Sequence, residues 1–382
     1  MKVLFDVSSV TAPLSGIGRY AAELARLMPT LGSVEDVVFL DNGHILQQFD
    51  PTQPEAAPES GQLRRLARRY LPYDWVLRPY RQRRARLLAD SLRSFADYIY
   101  FSPNFSLPPV TNPTVVTLHD LSVYHFPEYH PRDRVNYLRD QISHSIETAN
   151  RLVTDSDFVR SELLQLFSLS PEKVVTVPLG VDASFCPRSS EELAPCLASY
   201  GLRAGQYVLS VGTLEPRKNL ERLLQAYLLL DPGVRRSYPL VIVGAYGWGS
   251  ESLMSDIHRL QARKEIVFLD YVPEEALPQL YAGAALFCYF SLYEGFGLPV
   301  LEAMSSGVPV LCSRDSALEE LSVGAECHVD ALDVRAMSDA MANALADLPW
   351  RQNAARLGRE RSGAYTWEAT AEKLVAAFGG VG

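Results

Sequence analysis

The sequence predicts an α/β protein of two doubly wound domains that face each other across a cleft. Three observations support this fold class. Short runs of Val, Ile and Leu alternate with stretches of helical spacing, the pattern of buried parallel strands and their crossover helices. The alternation occurs twice, on either side of a looser stretch near residues 183–203. The chain of 382 residues is long enough for two or three domains.

The first series forms the N-terminal half. Its apolar runs predict strands over residues 2–9, 36–40, 97–102, 114–120, 151–156 and 173–180. Apolar residues at helical spacing predict helices over 18–28, 134–150 and 161–167. The Pro-rich, polar segment 47–62 is expected to be a loop.

The second series forms the C-terminal half. It predicts strands over residues 206–212, 239–244, 265–270, 285–291 and 308–313. Helices are expected after them, for example over 220–230 and 273–284. Ligands of open α/β sheets bind at the carboxyl ends of the strands, so two facing sheets predict a ligand site in the cleft between the domains.

Composition excludes several classes of protein. The net charge of −9 argues against general nucleic-acid binding. The five cysteines show no CxxC spacing, so we expect neither a zinc ribbon nor a disulfide framework, and a reducing cytosolic compartment fits best. The N-terminal apolar run is too short for a signal peptide and contains Asp6. The sequence has no run of 18 apolar residues that would span a membrane.

One basic segment departs from this acidic background. Residues 64–93 contain ten arginines, four aromatic residues and only two acidic residues, for a net charge of +8. Cationic side chains interleaved with Tyr and Trp suit an anionic lipid surface. The segment therefore predicts peripheral binding to a membrane, although a solvated helical face is the alternative.

Two glutamates, Glu294 and Glu302, flank a glycine turn in the stretch FCYFSLYEGFGLPVLEAMSSGVPVL (287–311). An apolar strand precedes the turn, and Pro299 opens the next helix, where its missing N–H costs no hydrogen bond. The two carboxylates are expected to bracket one ligand, with Glu302 accepting hydrogen bonds from ribose hydroxyls. The helix dipole alone would explain Glu302 but not the Glu-Gly-Phe-Gly turn.

The turn itself is predicted to bind an anion. Backbone N–H groups at the start of a helix lack intrahelical partners and carry a partial positive charge. The glycines Gly295 and Gly297 allow close approach of a ligand. The exposed amides would be those of Phe296, Gly297 and Leu298.

Two cations follow the first strand of the second series. Arg217 and Lys218 lie in LEPRKNL, between that strand and a helix, and therefore near the cleft. Cations at this position would stabilise a diphosphate leaving group as its negative charge develops. A solvated turn is the simpler alternative.

The N-terminal half offers a glycine pair and a His-Asp pair. Gly16 and Gly18 in SGIGRY precede a helix and would let a phosphate or sugar approach the backbone. A third fingerprint glycine is missing at Ala21, which argues against a dehydrogenase. His119 and Asp120 end a strand and should point into the cleft, where His119 would orient a hydroxyl or accept its proton.

A D-x-D pair, Asp155 and Asp157, also follows a strand. Such a pair holds a divalent metal on the diphosphate in some sugar-nucleotide enzymes. Here it opens a helix, so we expect it to cap that helix, and we expect no metal or other cofactor.

Together these motifs resemble glycosyltransferase family 4. EGFGLPVLEAMSSGVPV is similar to the family's E-x7-E signature, and SVGTLEPRKNLERLLQAY (210–227) to its diphosphate-binding stretch. SGIGRYAAELARLM (15–28) resembles the N-terminal Gly-rich loop. The resemblance implies two Rossmann-like domains of the GT-B type. It also implies that YTWEATAEKLVAAF (365–378) is a last helix that crosses back onto the first domain.

The resemblance also implies roles for the candidate residues. Arg217 and Lys218 would contact the donor diphosphate, and the segment with Tyr271 and Val272 would flank the nucleotide base. His119 would contact the transferred sugar and, with Asp120, the acceptor. The donor-binding set would comprise Gly16, Gly18, Arg217, Lys218, Tyr271, Val272, Glu294, Gly295, Phe296, Gly297, Leu298 and Glu302. The implied reaction retains the anomeric configuration through front-face attack, without a covalent protein intermediate.

The implied domains are an acceptor-binding domain over 1–190, with 366–382 packed back onto it, and a donor-binding domain over 191–365. Bacterial mannosyl- and rhamnosyltransferases of surface polysaccharide synthesis show the greatest resemblance. The expected donor is therefore GDP-mannose, with GDP-D-rhamnose as a near neighbour. The expected acceptor is a lipid-linked saccharide at the inner membrane face. A nucleotide-sugar epimerase or hydrolase and a non-catalytic sugar-nucleotide binding module are alternatives.

Overall fold

The computed structural model describes residues 1–11, 14–46, 49–51, 92–247, 251–322 and 328–381. The basic segment 64–93 lies almost entirely outside these residues. In the described part of the chain, no helix is long and apolar enough to cross a membrane.

The N-terminal sheet has the strand order β3-β2-β1-β4-β5-β6-β7. Its strands are β1 Lys2–Asp6, β2 Asp36–Asp41, β3 His44–Leu46, β4 Ile99–Ser102, β5 Thr114–Leu118, β6 Arg151–Thr154 and β7 Val174–Thr176. Neighbouring strands are parallel, except that β3 runs antiparallel to β2. The sequence analysis missed β3, which follows a two-residue turn formed by Asn42 and Gly43, both with positive φ.

The C-terminal sheet is parallel and has the order β10-β9-β8-β11-β12-β13. Its strands are β8 Val208–Val211, β9 Leu240–Val243, β10 Ile266–Leu269, β11 Leu286–Tyr289, β12 Val310–Ser313 and β13 His328–Val329. Every residue of β9, β11 and β12 is buried, because helices cover both faces of the sheet. The two sheets confirm the predicted doubly wound fold class.

The described helices cover the two sheets and connect their strands. They are α1 Gly16–Leu27, α2 Ser122–His125, α3 Arg132–Thr148, α4 Asp157–Phe167, α5 Ser190–Ser199, α6 Leu220–Leu228, α7 Pro232–Ser237, α8 Glu251–Ala262, α9 Leu277–Ala282, α10 Leu298–Ser305, α11 Ala317–Leu321, α12 Val334–Ala346, α13 Leu348–Ser362 and α14 Trp367–Ala377. The looser stretch near 183–203 contains α5. A capping box, in which Ser189 and Glu192 satisfy each other's backbone N–H, fixes the start of this helix.

The last helix returns to the N-terminal domain, as predicted. The Phe378 ring lies 5.5 Å from the Phe101 ring of β4. Thr370 donates a hydrogen bond of 2.8 Å to the Pro178 carbonyl, and Arg151 donates one of 3.1 Å to the Ala377 carbonyl. The chain therefore crosses between the domains twice, which ties the C-terminal end to the first sheet.

Candidate active site between the domains

The glycine turn after β11 is fixed by packing as well as by backbone conformation. Gly297 has a φ of 112°, and a Cβ atom there would lie 2.3 Å from a Leu318 methyl group. Only glycine meets both conditions. Helix α10 begins at Leu298, one residue earlier than predicted, with Pro299 as its second residue. The strand, turn and helix therefore follow in the predicted order.

Arg217 and Lys218 lie on a single 3-10 turn, Pro216–Lys218, beyond the end of β8. The next residue, Asn219, has a φ of 59° and is buried. Its side-chain amide Nδ2 donates hydrogen bonds of 2.9 Å to the Phe290 carbonyl and 2.7 Å to the Ala331 carbonyl. Asn219 therefore anchors the two cations beside the end of β11.

Glu294 meets both cations. Lys218 Nζ lies 2.7 Å from Glu294 Oε1, and Arg217 Nη1 lies 3.1 Å from Oε2. Arg217 also donates to Glu215 Oε1 at 2.9 Å, and Lys218 donates to the Tyr289 hydroxyl at 2.7 Å. We call Arg217, Lys218, Glu215 and Glu294 the cation cluster, since it pairs two cations with two carboxylates.

The side chains of the cation cluster are largely shielded from water, and each charge in the cluster shifts the pKa of its neighbours. Burial alone would raise the pKa of Glu294, but Lys218 and Arg217 outweigh it and lower that pKa to about 2. Burial, together with the neighbouring Arg217 charge, lowers the pKa of Lys218. Arg217 Nε is buried and has no hydrogen-bond partner among the described residues. An unsatisfied buried donor of this kind costs about 1–3 kcal/mol.

Glu302 lies on the first turns of α10 and is also buried. Arg19 of helix α1 donates a hydrogen bond of 3.2 Å to Glu302 Oε1 across the cleft. The predicted ribose-binding carboxylate therefore has a partner in the other domain. The sequence analysis did not identify Arg19.

The sequence predicted that Gly16 and Gly18 precede a helix. In the structure both glycines belong to helix α1 itself. The helix begins at Gly16, and the Ser15 hydroxyl accepts from the Gly18 amide at 3.1 Å. A Cβ atom at Gly18 would lie 3.0 Å from the Ser9 carbonyl oxygen. One at Gly16 would lie 3.8 Å from a Leu298 methyl group, so the start of α1 faces the start of α10.

Both ring nitrogens of His119 have partners. Nδ1 lies 2.7 Å from Asp155 Oδ2, and Nε2 lies 2.9 Å from the Pro103 carbonyl oxygen. Burial lowers the pKa of His119, but the Asp155 carboxylate outweighs it, so the pKa is raised. A hydrogen bond between a ring nitrogen and a sugar requires one of these two hydrogen bonds to break.

Asp120 and the D-x-D pair differ in their surroundings. Asp120 Oδ1 accepts from both the amide and the hydroxyl of Ser122, at 2.9 and 2.7 Å. Burial would raise the pKa of Asp120, but Arg217 and Ser122 lower it. The predicted capping by the D-x-D pair is wrong, because the intervening Ser156 caps helix α4. Asp155 binds His119 instead, and Asp157 Oδ1 accepts from the Thr176 hydroxyl at 2.5 Å.

The domains touch directly beside the cation cluster. A Cβ atom at Gly295 would lie 1.8 Å from the His119 carbonyl oxygen, so the two backbones approach as closely as glycine permits. Ser156 donates a hydrogen bond of 2.7 Å to the Gly295 carbonyl. Tyr293 donates to Glu162 at 2.5 Å and accepts from the Leu121 amide at 3.1 Å. The structure therefore has the two domains closed around residues 293–295.

Family comparisons match each half of the chain. Residues 14–185 match the model described as Glycosyltransferase Family 4, and residues 202–361 match the one described as Glycosyl transferases group 1. Over 378 residues the chain is 38% identical to the O-antigen chain mannosyltransferase B of Escherichia coli, with 99% of both chains covered. The chain belongs to the family 4 glycosyltransferases.

Solved structures of other proteins share the fold of this glycosyltransferase. Sucrose-phosphate synthase from Thermosynechococcus elongatus matches with a TM-score of 0.72 at 19% identity, covering 98% of this chain and 97% of that one. HepE from Anabaena, solved in complex with UDP and glucose, matches with a TM-score of 0.70 at 16% identity and 98% coverage of both chains. The predicted GT-B architecture is confirmed.

The remaining predicted donor residues differ in their exposure. Tyr271 has 78% of its surface exposed, so its ring is accessible to a ligand, whereas Val272 is partly buried. Phe296 is buried with its ring 6.0 Å from that of Tyr365. In the described part of the chain, no cluster of three or more His, Cys, Asp or Glu residues is arranged to hold a metal ion. The roles of the predicted site residues remain predictions.

Several polar partners of these residues were not predicted from the sequence. They include Arg19, Ser122, Glu215, Tyr289 and the Tyr293 carbonyl. Glu215 and Tyr293 are each close in sequence to a residue that was identified, so proximity to Arg217 and Glu294 is a signal that could have found them. Nothing local to Arg19 points to Glu302, because 283 positions separate them.

Proposed function

We propose that this glycosyltransferase transfers α-mannose from GDP-mannose to a lipid-linked saccharide during O-antigen synthesis, with retention of the anomeric configuration. The identity of 38% over the full chain with an O-antigen chain mannosyltransferase supports the mannosyl donor and the pathway. GDP-D-rhamnose differs from GDP-mannose by one hydroxyl group and is the nearest alternative donor.

The cation cluster is the observation that carries the proposal. Arg217 and Lys218 are held beside the E-x7-E turn by Glu294, at distances of 3.1 and 2.7 Å. As the sugar departs, the diphosphate gains negative charge, which these cations stabilise more in the transition state than in the ground state. Because the cluster forms on folding, little reorganisation is needed when the donor binds.

The proposed reaction needs no protein nucleophile. The acceptor hydroxyl attacks the anomeric carbon from the face that GDP leaves, and its proton passes to the departing phosphate oxygen. Glu294 supports the positive charge that develops on the sugar ring, and His119 and Asp120 form the acceptor side. NMR of the product should show an α-linkage, and a β-linked product would contradict retention. Since Arg217 and Lys218 supply the positive charge, activity should persist in EDTA.

Calorimetric titration with GDP, UDP, ADP and dTDP tests the donor class. We expect GDP to bind most tightly, by at least about tenfold, a difference of roughly 1.4 kcal/mol. Tighter binding of another nucleoside diphosphate would show that the donor carries that base instead of guanine. If none of the four binds, the proposed function is wrong. With GDP-mannose, release of a saccharide product only when acceptor is present would separate a transferase from a hydrolase.

The proposal places the protein in the cytoplasm, at the inner face of the cytoplasmic membrane, through the arginine-rich segment 64–93. This segment has a net charge of +8, and each basic residue near an anionic surface contributes about 1 kcal/mol. Replacing four of its arginines with glutamate should abolish sedimentation with phosphatidylglycerol vesicles without changing GDP affinity. Unchanged vesicle binding would contradict the membrane role.

A further inference from the structure

The interdomain pair of Arg19 and Glu302 has no role in the reaction as proposed so far. Arg19 Nη1 lies 3.2 Å from Glu302 Oε1, and both side chains are largely shielded from water, with 23% and 10% of their surfaces exposed. Arg19 also approaches Glu274 at 3.6 Å, but Glu274 is 77% exposed. A pair with a mostly exposed carboxylate contributes little, so Glu302 is the principal partner.

Burial and the Arg19 guanidinium act in opposite directions on the ionisation of Glu302. Burial raises the pKa of this carboxyl, and Arg19 opposes that rise. The other groups that face Glu302 are the Tyr281 hydroxyl and the Asp182 carboxylate, and the latter favours protonation. Arg19 is therefore the group that favours the charged form from across the cleft.

The position of Arg19 is built into the start of α1. Gly18 packs against the Ser9 backbone, where a Cβ atom would be only 3.0 Å from the carbonyl oxygen. Gly16 faces Leu298 at the start of α10, the helix that carries Glu302. The first turn of α1 thus holds the guanidinium over the second turn of α10.

We propose that Arg19 is a positioning residue for the donor ribose: it holds the Glu302 carboxylate charged and oriented from the opposite domain. The inference rests on the proposed function and on the predicted role of Glu302, which is to accept hydrogen bonds from the ribose hydroxyls. Arg19 engages Oε1, and in this proposal the ribose hydroxyls donate to Oε2. Ribose recognition is then complete only when the two domains are closed.

The test compares GDP with 2′,3′-dideoxy-GDP, which lacks both ribose hydroxyls. Wild-type protein should prefer GDP by about 10- to 100-fold, the effect of one or two hydrogen bonds to a charged acceptor. In Arg19→Met that preference should fall by about tenfold, and Arg19→Lys should restore part of it. The control is Arg26→Met on the same helix, since Arg26 pairs with Glu23 away from the cleft.

The outcomes separate this inference from the proposed function. If the wild-type protein binds both nucleotides equally, Glu302 does not bind the ribose hydroxyls. A normal wild-type preference that persists unchanged in Arg19→Met would overturn the role of Arg19 alone. Equal weakening of both nucleotides would also overturn it, because Arg19 would then act on the diphosphate or on folding.

A pH series provides a second readout. Without Arg19, the Glu302 carboxyl should take up a proton more readily and accept hydrogen bonds less well. The preference for GDP should therefore begin to decline at a higher pH in Arg19→Met than in wild-type as the pH is lowered. Parallel pH profiles for the two proteins would contradict the proposal.

Discussion

The two glutamates of the E-x7-E motif have opposite environments. Glu294 receives both of its cations from its own domain, and its pKa is lowered to about 2 despite burial. Glu302 receives its cation from the other domain, and burial leaves its pKa raised despite Arg19. The proposed diphosphate end of the site therefore has its ion pairs within one domain, whereas the proposed ribose end depends on a contact between the domains.

Removing a cation from the Glu294 end should have the largest effect. We expect Lys218→Met to lower kcat by roughly 100- to 1,000-fold, the usual loss when one preorganised group that stabilises developing charge is removed. Lys173→Met is the matched control, because Lys173 donates to the Ile146 carbonyl far from the cation cluster. Steady-state kinetics with GDP-mannose compare the two, and similar rates would contradict the role of Lys218.

The two carboxylates should differ in what they contribute to folding. Glu294→Gln removes the carboxylate partner of Lys218 and leaves Arg217 with Glu215 alone, and it should lower the free energy of unfolding by about 3 kcal/mol at neutral pH. Glu302→Gln should change it by less than about 1 kcal/mol, because Arg19 retains Glu274 and partial contact with water. Urea unfolding measures the free energy of unfolding of both variants. Equal losses would contradict the proposed difference between the two glutamates.

The pH dependence follows from the lowered pKa of Glu294. A carboxyl whose folded-state pKa is lowered stabilises the fold above its ordinary pKa of 4.5 and loses that contribution as the pH falls toward about 2. The stability difference between wild-type and Glu294→Gln should therefore shrink over this range. Glu302 has a raised pKa and should favour the folded state more as the pH falls. Urea unfolding of Glu302→Gln above pH 4.5, where a carboxyl with a raised pKa takes up its proton, checks that opposite sign.

The smallest predicted effect concerns closure of the domains. Glu320 of α11 accepts from the amides of Asp157 and Phe158 at 3.1 and 3.0 Å, so it caps helix α4 across the interface. Glu320→Gln should cost about 1 kcal/mol and favour the open form. Glu319→Gln is the control, since Glu319 accepts from Asp315 within its own domain. Small-angle scattering should show expansion only for the first variant.

The difference between Glu294 and Glu302 also explains which parts of the site could be predicted from the sequence. Strands and helices of both domains follow from local periodicity, and the E-x7-E turn follows from glycine and proline at fixed spacing. Arg217, Lys218 and Glu294 were therefore all identified as candidates, since Arg217 and Lys218 also lie in a local strand-to-helix motif, whereas the ion pairs among them were not predicted. Hairpin strand β3 was missed although its Asn42-Gly43 turn is a recognised signal.

Contacts between distant segments were not predictable in this way. Arg19 and Glu302 are 283 positions apart, and His119 and Asp155 are 36 apart. Several polar residues lie at each strand end. The pairs that they form depend on distances and directions that only the folded chain defines. The sequence placed His119 in the cleft, but nothing in it showed that both ring nitrogens would be engaged.

A structure of the protein with GDP would decide whether the cleft is the donor site. We expect the diphosphate to lie within hydrogen-bond distance of Arg217 and Lys218, and the ribose hydroxyls to contact Glu302 while Arg19 remains on the other carboxylate oxygen. A nucleotide bound away from the Arg217–Lys218 turn, with the cation cluster unchanged, would contradict it.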